Sequence, residues 1–335
     1  MIITKCPYRV SFFGGGTDFP SWYQEKGCNI VSCSINAFCY ITIRKLLPFY
    51  GNNYRISWSE IEVVNNINKI KHPAIRGALD YLDIKDGLEI HTDGDLPARS
   101  GLGSSSAFSA ALIMALSTLK GKELSIRELT DSTIYFEQKI LKENVGVQDQ
   151  IQTCCGGFNL LSINKQGNYR ILRLDIGSEL VQNISKRMML VYTGITRNSS
   201  EVQEKNQNID INKRNKSLEK IAEIANEVTE NIFKEKICFD DFSSFLEETW
   251  EHKIKLFSDS ENKNEILNIY KEAKNNGANS GKLLGAGGGG FFLFLVEENL
   301  QEDFKKNMSK YTVVKHDICN SPCELLYNSI SNNIK

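Results

Sequence analysis

Between Asp95 and Leu116 the chain reads DLPARSGLGSSSAFSAALIMAL, the stretch that most restricts what it can fold into. Pro97, Gly101 and Gly103 break regular structure, so Leu96 to Gly103 is expected to be a loop. Ser104, Ser105 and Ser106 then open a run with apolar residues at helical spacing: Phe108, Ala111, Leu112, Ala115, Leu116 and Leu119. Serines ahead of such a run signal a helix start. A glycine loop feeding a helix N-terminus presents free backbone N–H groups and about half a positive charge, both of which favour an anion. The stretch therefore reads as a phosphate cradle. It is not the P-loop, because no Gly-Lys-Ser/Thr stands at the required spacing. A plain serine-capped helix after a glycine turn fits the same residues.

The rest of the chain narrows the setting. Its 335 residues suffice for about two domains of roughly 150 residues each. Forty basic side chains against 41 acidic ones leave a net charge of −1, which argues against a nucleic-acid or polybasic membrane surface. No apolar run approaches the roughly 20 residues of a membrane span. The start, MIITKCPYRV, reads as a strand and not as a signal peptide. Nine cysteines without an export signal suggest reduced thiols and a cytoplasmic location. Cys154, Cys155, His316, Cys319 and Cys323 do not make a four-ligand zinc pattern, and the four histidines are scattered.

In chain order, Ile2–Lys5 and Arg9–Phe13 read as strands broken by Pro7 and ending at Gly14-Gly15-Gly16-Thr17-Asp18. The segment from Ile30 to Leu47 reads as two strands around Asn36-Ala37. Arg55–Val64 continues the sheet, Ala74–Leu82 is a helix, and Leu88–Thr92 is a strand. Ser125 and Glu128 form a capping box for a helix running to about Lys142, which carries Glu137. Phe158–Ile163 and Tyr169–Leu174 form a hairpin, and Arg187–Tyr192 a strand. Three amphipathic helices follow between 199 and 276. Gly285 to Gly290 satisfies GxGxxG, yet it opens the strand FFLFLV and not a helix, so a dinucleotide site is rejected. A last helix and strand cover Glu297–Lys315.

Three of these segments carry a family resemblance. GLGSSSA with Pro97 upstream, PYRVSFFGGGTD, and KLLGAGGGGFF resemble the three signatures of the GHMP kinases, in the right order and across essentially the whole chain. PYRVSFFGGGTD has the form seen in heptose-phosphate kinases and lacks the galactokinase version. The resemblance implies an α+β fold of two domains, residues 1–185 with the ATP loop and a ferredoxin-like 186–335, with the active site between them. It implies ATP held by Pro97, Gly101, Leu102, Gly103, Ser104, Ser105 and Ser106, and magnesium on Ser105 and Glu137. Magnesium prefers oxygen ligands and takes only one or two from protein when phosphates supply others. Asp149, in the segment Gly146-Val147-Gln148-Asp149, stands where the family keeps its proposed base, and Arg9 where it keeps a catalytic cation. Gly15, Gly16, Thr17, Asp18, Arg197 and Gly288 would bind the substrate. The implied reaction is phosphorylation of the anomeric hydroxyl of a heptose 7-phosphate, with Arg197, Arg99 or Arg44 anchoring the existing phosphate. An unphosphorylated fucose- or galactose-like sugar, or a non-catalytic binding module, are the alternatives. The partners implied are ATP and a sugar phosphate, and a homodimer stays open.

Overall fold

β-Branched and aromatic runs separated by glycine turns build two sheets, covered by helices whose apolar stripes face them. The computed structural model describes residues 1–47, 49, 51–195, 211–257 and 261–329. The first sheet contains β1 (Ile2–Phe13), β2 (Cys28–Lys45), β3 (Tyr54–Ser57), β4 (Ile61–Val64), β5 (Leu88–Gly94), β6 (Phe158–Ile163) and β7 (Tyr169–Leu174). The second contains β8 (Met188–Tyr192), β9 (Ala278–Leu283), β10 (Phe291–Val296) and β11 (Thr312–Val314). The last strand, β12 (Glu324–Asn328), returns to the first sheet beside β1. The first sheet is therefore not confined to residues before 185. The helices are α1 (Pro20–Lys26), α2 (Pro73–Tyr81), α3 (Ser104–Leu119), α4 (Ile126–Tyr135), α5 (Gln148–Cys155), α6 (Glu179–Arg187), α7 (Ile211–Phe233), α8 (Phe239–Lys253), α9 (Glu261–Asn275) and α10 (Gln301–Asn307).

The first sheet runs β12-β1-β2-β5-β3-β4, with β6 on β2 and β7 on β6. The second runs β11-β8-β10-β9 with antiparallel neighbours. Helices connect β8 to β9 and β10 to β11, the βαββαβ succession of a ferredoxin-like domain. Its residues alternate as a two-sided sheet should. Leu190, Leu293 and Leu295 face the core shared with the first sheet. Met189, Val191, Phe292 and Phe294 face α9 and α10 through Ile266, Ile269 and Phe304.

Two expected breaks are absent. β1 passes through Pro7 without ending, because its register on β2 shifts between Pro7 and Arg9. A bulge is where a strand tolerates a residue with no N–H. β2 is one strand of 18 residues and not two, since its halves pair with different neighbours. Residues 28–33 pair with β6 and residues 39–45 with β5. Asn36, between these pairings, donates its N–H to Asp317 O at 3.0 Å.

α3 is buried on almost every face, from Ser106 and Ala107 to Leu116 and Ser117. A helix apolar all round belongs inside a protein, and this one packs on β1 and β2 with Ser105, in its first turn, its one exposed residue. A second bulge in β1, between Ser11 and Phe13, takes Phe12 out of the ladder. Lys282 on β9, 2% exposed, donates to Phe12 O at 2.7 Å and ties the two sheets together. Lys282→Met keeps the stem and removes the donor. It should cost about 1–3 kcal/mol, seen as a lower urea midpoint at unchanged slope.

Candidate active site

The loop before α3 is built by three constraints. Leu102 is fully buried and anchors it, while its carbonyl accepts the Arg9 N–H at 2.9 Å. Gly103 adopts φ +70° and a Cβ there would lie 2.8 Å from Arg9 Cγ, so only glycine lets α3 start against that side chain. Gly101 meets the C-terminal glycine loop, where a Cβ would lie 2.6 Å from Leu284 O. Pro97 and Ser105 are exposed, Gly101 and Ser104 half-buried, and Ser104 Oγ accepts the Arg99 N–H at 3.1 Å. The helix end thus presents its first N–H groups to solvent. The glycine loop 285–290 lies against this loop: Phe291 N donates to Ser100 O at 2.9 Å.

Arg9 leaves β1 beside this loop and meets Asp149 on α5. Its Nε donates to Oδ1 at 2.8 Å and its Nη2 to Oδ2 at 2.7 Å, a bidentate pair, while Nη1 donates to Gly101 O. Arg9 is 5% exposed and Asp149 33% exposed at the side chain, so the carboxylate keeps an open side. Each carboxylate oxygen retains acceptor capacity beyond its arginine bond.

The Gly14–Asp18 turn sits on the other side of Asp149. Thr17 closes it by donating to Gly14 O at 2.7 Å. Asp18 Oδ1 accepts from Gly16 N at 3.0 Å, and Oδ2 accepts from Gln148 N, the first N–H of α5, at 3.1 Å. Asp18, a side chain expected to bind substrate, thus also sets Asp149's helix against the glycine turn. Gly146 is glycine because a Cβ would overlap the Asp18 carboxylate. Burial and the nearby Asp149 push the Asp18 carboxyl up. Gly15, Gly16 and Gly288 are half-buried.

Glu137 lies on a π-helical turn, Phe136–Ile140, that ends α4 and aims it inward. It is fully buried and accepts at Oε2 from Ser106 Oγ at 3.0 Å and from Gln150 Nε2. Burial pushes its carboxyl up to about 7, against those hydrogen bonds. Ser106, with Ser109 nearly one turn further on, and not Ser105, therefore brings a hydroxyl to Glu137, since one step along a helix turns a side chain by about 100°. Glu137 Oε1 is buried without a partner among the described residues, as is Oε1 of Gln150, whose Nε2 donates to the other Glu137 oxygen. A carboxylate oxygen left as an uncommitted hard donor beside serine hydroxyls suits magnesium. No cluster of three or more acidic, histidine or cysteine ligands is found among the described residues.

The phosphate-anchor candidates separate. Arg44 and Arg55 are both committed to Glu89 on the first sheet. Arg99 is exposed, with φ +59°. Arg197 lies outside the described residues. A cation the sequence did not suggest is Lys253, the last residue of α8, whose Nζ donates to Leu283 O at 2.8 Å and Gly285 O at 2.7 Å. Burial holds its ammonium down to about 7, Arg9 acting in the same direction and Asp149 and Asp18 opposing. In the sequence it is one more lysine on a polar helix face.

Residues 65–157 match the family model of the GHMP kinases N terminal domain. Over 319 residues the chain is 27% identical to D-glycero-alpha-D-manno-heptose 7-phosphate kinase of Campylobacter jejuni, covering 92% of this chain and 93% of that one. It is 26% identical to mevalonate kinase of Methanocaldococcus jannaschii, over 93% and 97% of the two chains. Among solved structures, a D-glycero-D-manno-heptose 1-phosphate kinase from Bacteroides thetaiotaomicron superposes with a TM-score of 0.77 at 21% identity, over 98% and 99% of the chains, a likeness of fold.

Proposed function

We propose that the chain is an ATP-dependent kinase of the GHMP kind, as its matches to that family's N-terminal domain and to whole-length kinases support, and that the acceptor is the anomeric hydroxyl of a heptose 7-phosphate. The product would be the 1,7-bisphosphate, a precursor of nucleotide-activated heptose. The observation that carries the reading is the Arg9–Asp149 pair, open on one side and flanked by the GGGTD turn and the α3 N-terminus. The 27% identity to a heptose 7-phosphate kinase over nearly the whole chain supports the sugar.

Phosphoryl transfer asks for positioning and charge neutralisation more than for covalent help. The loop Gly101–Ser106 would hold the nucleotide's phosphates on backbone N–H groups. Asp149 would orient the sugar hydroxyl and receive its proton as the new P–O bond forms and the bond to ADP breaks. Arg9 fixes the carboxylate's orientation and offsets negative charge at the same point. An anomeric hydroxyl is more acidic than an ordinary alcohol, so orientation by Asp149 weighs as much as its basicity. Glu137, with Ser106 or Ser105, would hold magnesium, which when bound neutralises phosphate charge. Asp18 would accept from sugar hydroxyls with the lone pairs its two backbone bonds leave.

An ADP-release assay comparing heptose 7-phosphate, heptose 1-phosphate, fucose, galactose and mevalonate tests the acceptor. Heptose 7-phosphate should give the highest kcat/KM. A free sugar turning over as well would overturn the phosphate-bearing acceptor. ATP binding with no turnover on any of them would favour a non-catalytic module.

A further inference from the structure

Lys253 lies outside the three signature segments, yet it grips one of the structures they build and through it reaches a second. Two of its three ammonium donors grip Leu283 O and Gly285 O, at the entry to the C-terminal glycine loop. Gly285 in turn packs on the ATP loop so closely that a Cβ on it would lie 2.6 Å from Gly101 Cα. The charged groups around the ammonium come from four elements: Arg9 on β1, Asp18 on the glycine turn, Asp149 on α5 and Lys282 on β9. The pair Arg9–Asp149 marks where the phosphoryl group must pass. Arg9 is already engaged by both Asp149 oxygens and by Gly101 O. The Lys253 ammonium, with two of its three donors committed to carbonyls, retains a donor for a new anion beside that guanidinium.

We propose that Lys253 is a second cation of the transfer centre: it meets the γ-phosphoryl group while its carbonyl bonds hold the glycine loop against the ATP loop. The proposal rests on the kinase reaction and not on which sugar accepts. A purely structural lysine would support both nucleotides alike. A lysine aimed at the γ-phosphoryl separates ATP from ADP.

The test is calorimetric titration of the full chain with ATP and with ADP, each with magnesium and no sugar present. The variants are Lys253→Met, Lys253→Arg and, as a surface control, Lys255→Met. Lys253→Met should weaken ATP by about 10- to 100-fold, the range of a hydrogen bond to a charged group, and change ADP far less. Lys253→Arg and Lys255→Met should stay near wild type. Equal weakening of ATP and ADP, or no change in either, overturns the proposal. Should Lys253→Met fail to fold in a thermal melt, the pH arm decides. In wild type the ATP/ADP affinity ratio should fall between pH 6 and pH 8.5 as the ammonium loses its proton, and in Lys253→Arg it should not. Phosphate titration is common to both proteins, so parallel profiles overturn the proposal. With no acceptor in the cell, failure here leaves the heptose reading standing, and failure of that reading in the ADP-release assay leaves Lys253 standing.

Discussion

Asp149→Asn is expected to lower kcat by about 10²–10⁴, with ATP still bound. Asparagine keeps the shape but turns one acceptor into an NH2 group that faces a guanidinium already presenting N–H donors. The bidentate pair at 2.7 and 2.8 Å therefore becomes a single bond beside a donor-donor clash, and the proton acceptor disappears. In the proposed site nucleotide binding would be set elsewhere, on the N–H groups of the α3 end, so ATP affinity should survive. An ADP-release assay reads the first effect and calorimetry the second. A variant with undiminished turnover would remove Asp149 from the chemistry and leave Arg9–Asp149 as a structural ion pair.

The site was more legible in the sequence than the fold details, for a physical reason. Gly14, Gly16, Gly101, Gly103, Gly285 and Gly287–Gly290 all have positive φ, several with backbone approaching backbone, and such requirements survive in a linear reading. Arg9 and Asp149 lie 140 positions apart and could be paired only through a resemblance, because side-chain geometry across two elements has no local signal. Ser105 against Ser106 turned on one helical step, which depends on where the helix is phased against the π-helical turn carrying Glu137. The expected helix through Lys142 hid that turn. Long-range partners decided the misread strands too. β2 stays straight through Asn36 because β6 and β5 take its two halves, and β12 finds its place only because β1 offers a free edge. Lys253 and Lys282 look like surface lysines in a hydropathy reading. Their carbonyl partners, 30 and 270 residues away, are what make them interior groups.

Glu137 should make the metal-free protein less stable as pH rises. Its carboxyl is moved from the ordinary 4.5 to about 7 by complete burial, which corresponds to about 3 kcal/mol. The sign follows from linkage. Below about pH 4.5 the group is protonated in both states and costs nothing. Between 4.5 and 7 the unfolded chain ionises and the native one does not, so stability falls, and above 7 the full penalty is in place. Glu137→Gln mimics the protonated carboxyl: its oxygen can accept from Ser106 and Gln150, and its amide replaces the partnerless Oε1. Urea unfolding at pH 5 and pH 8 should show wild type losing about 2–3 kcal/mol more than the variant over that interval. The raised Asp18 and lowered Lys253 titrate in both proteins and cancel in the difference. Magnesium with ATP should narrow the gap at pH 8, because a dication favours the ionised carboxylate, and should do nothing of the kind for Glu137→Gln. Equal pH dependence in the two proteins would show that Glu137 is ionised throughout, and an ionised carboxylate at that depth would need a cation other than magnesium already beside it.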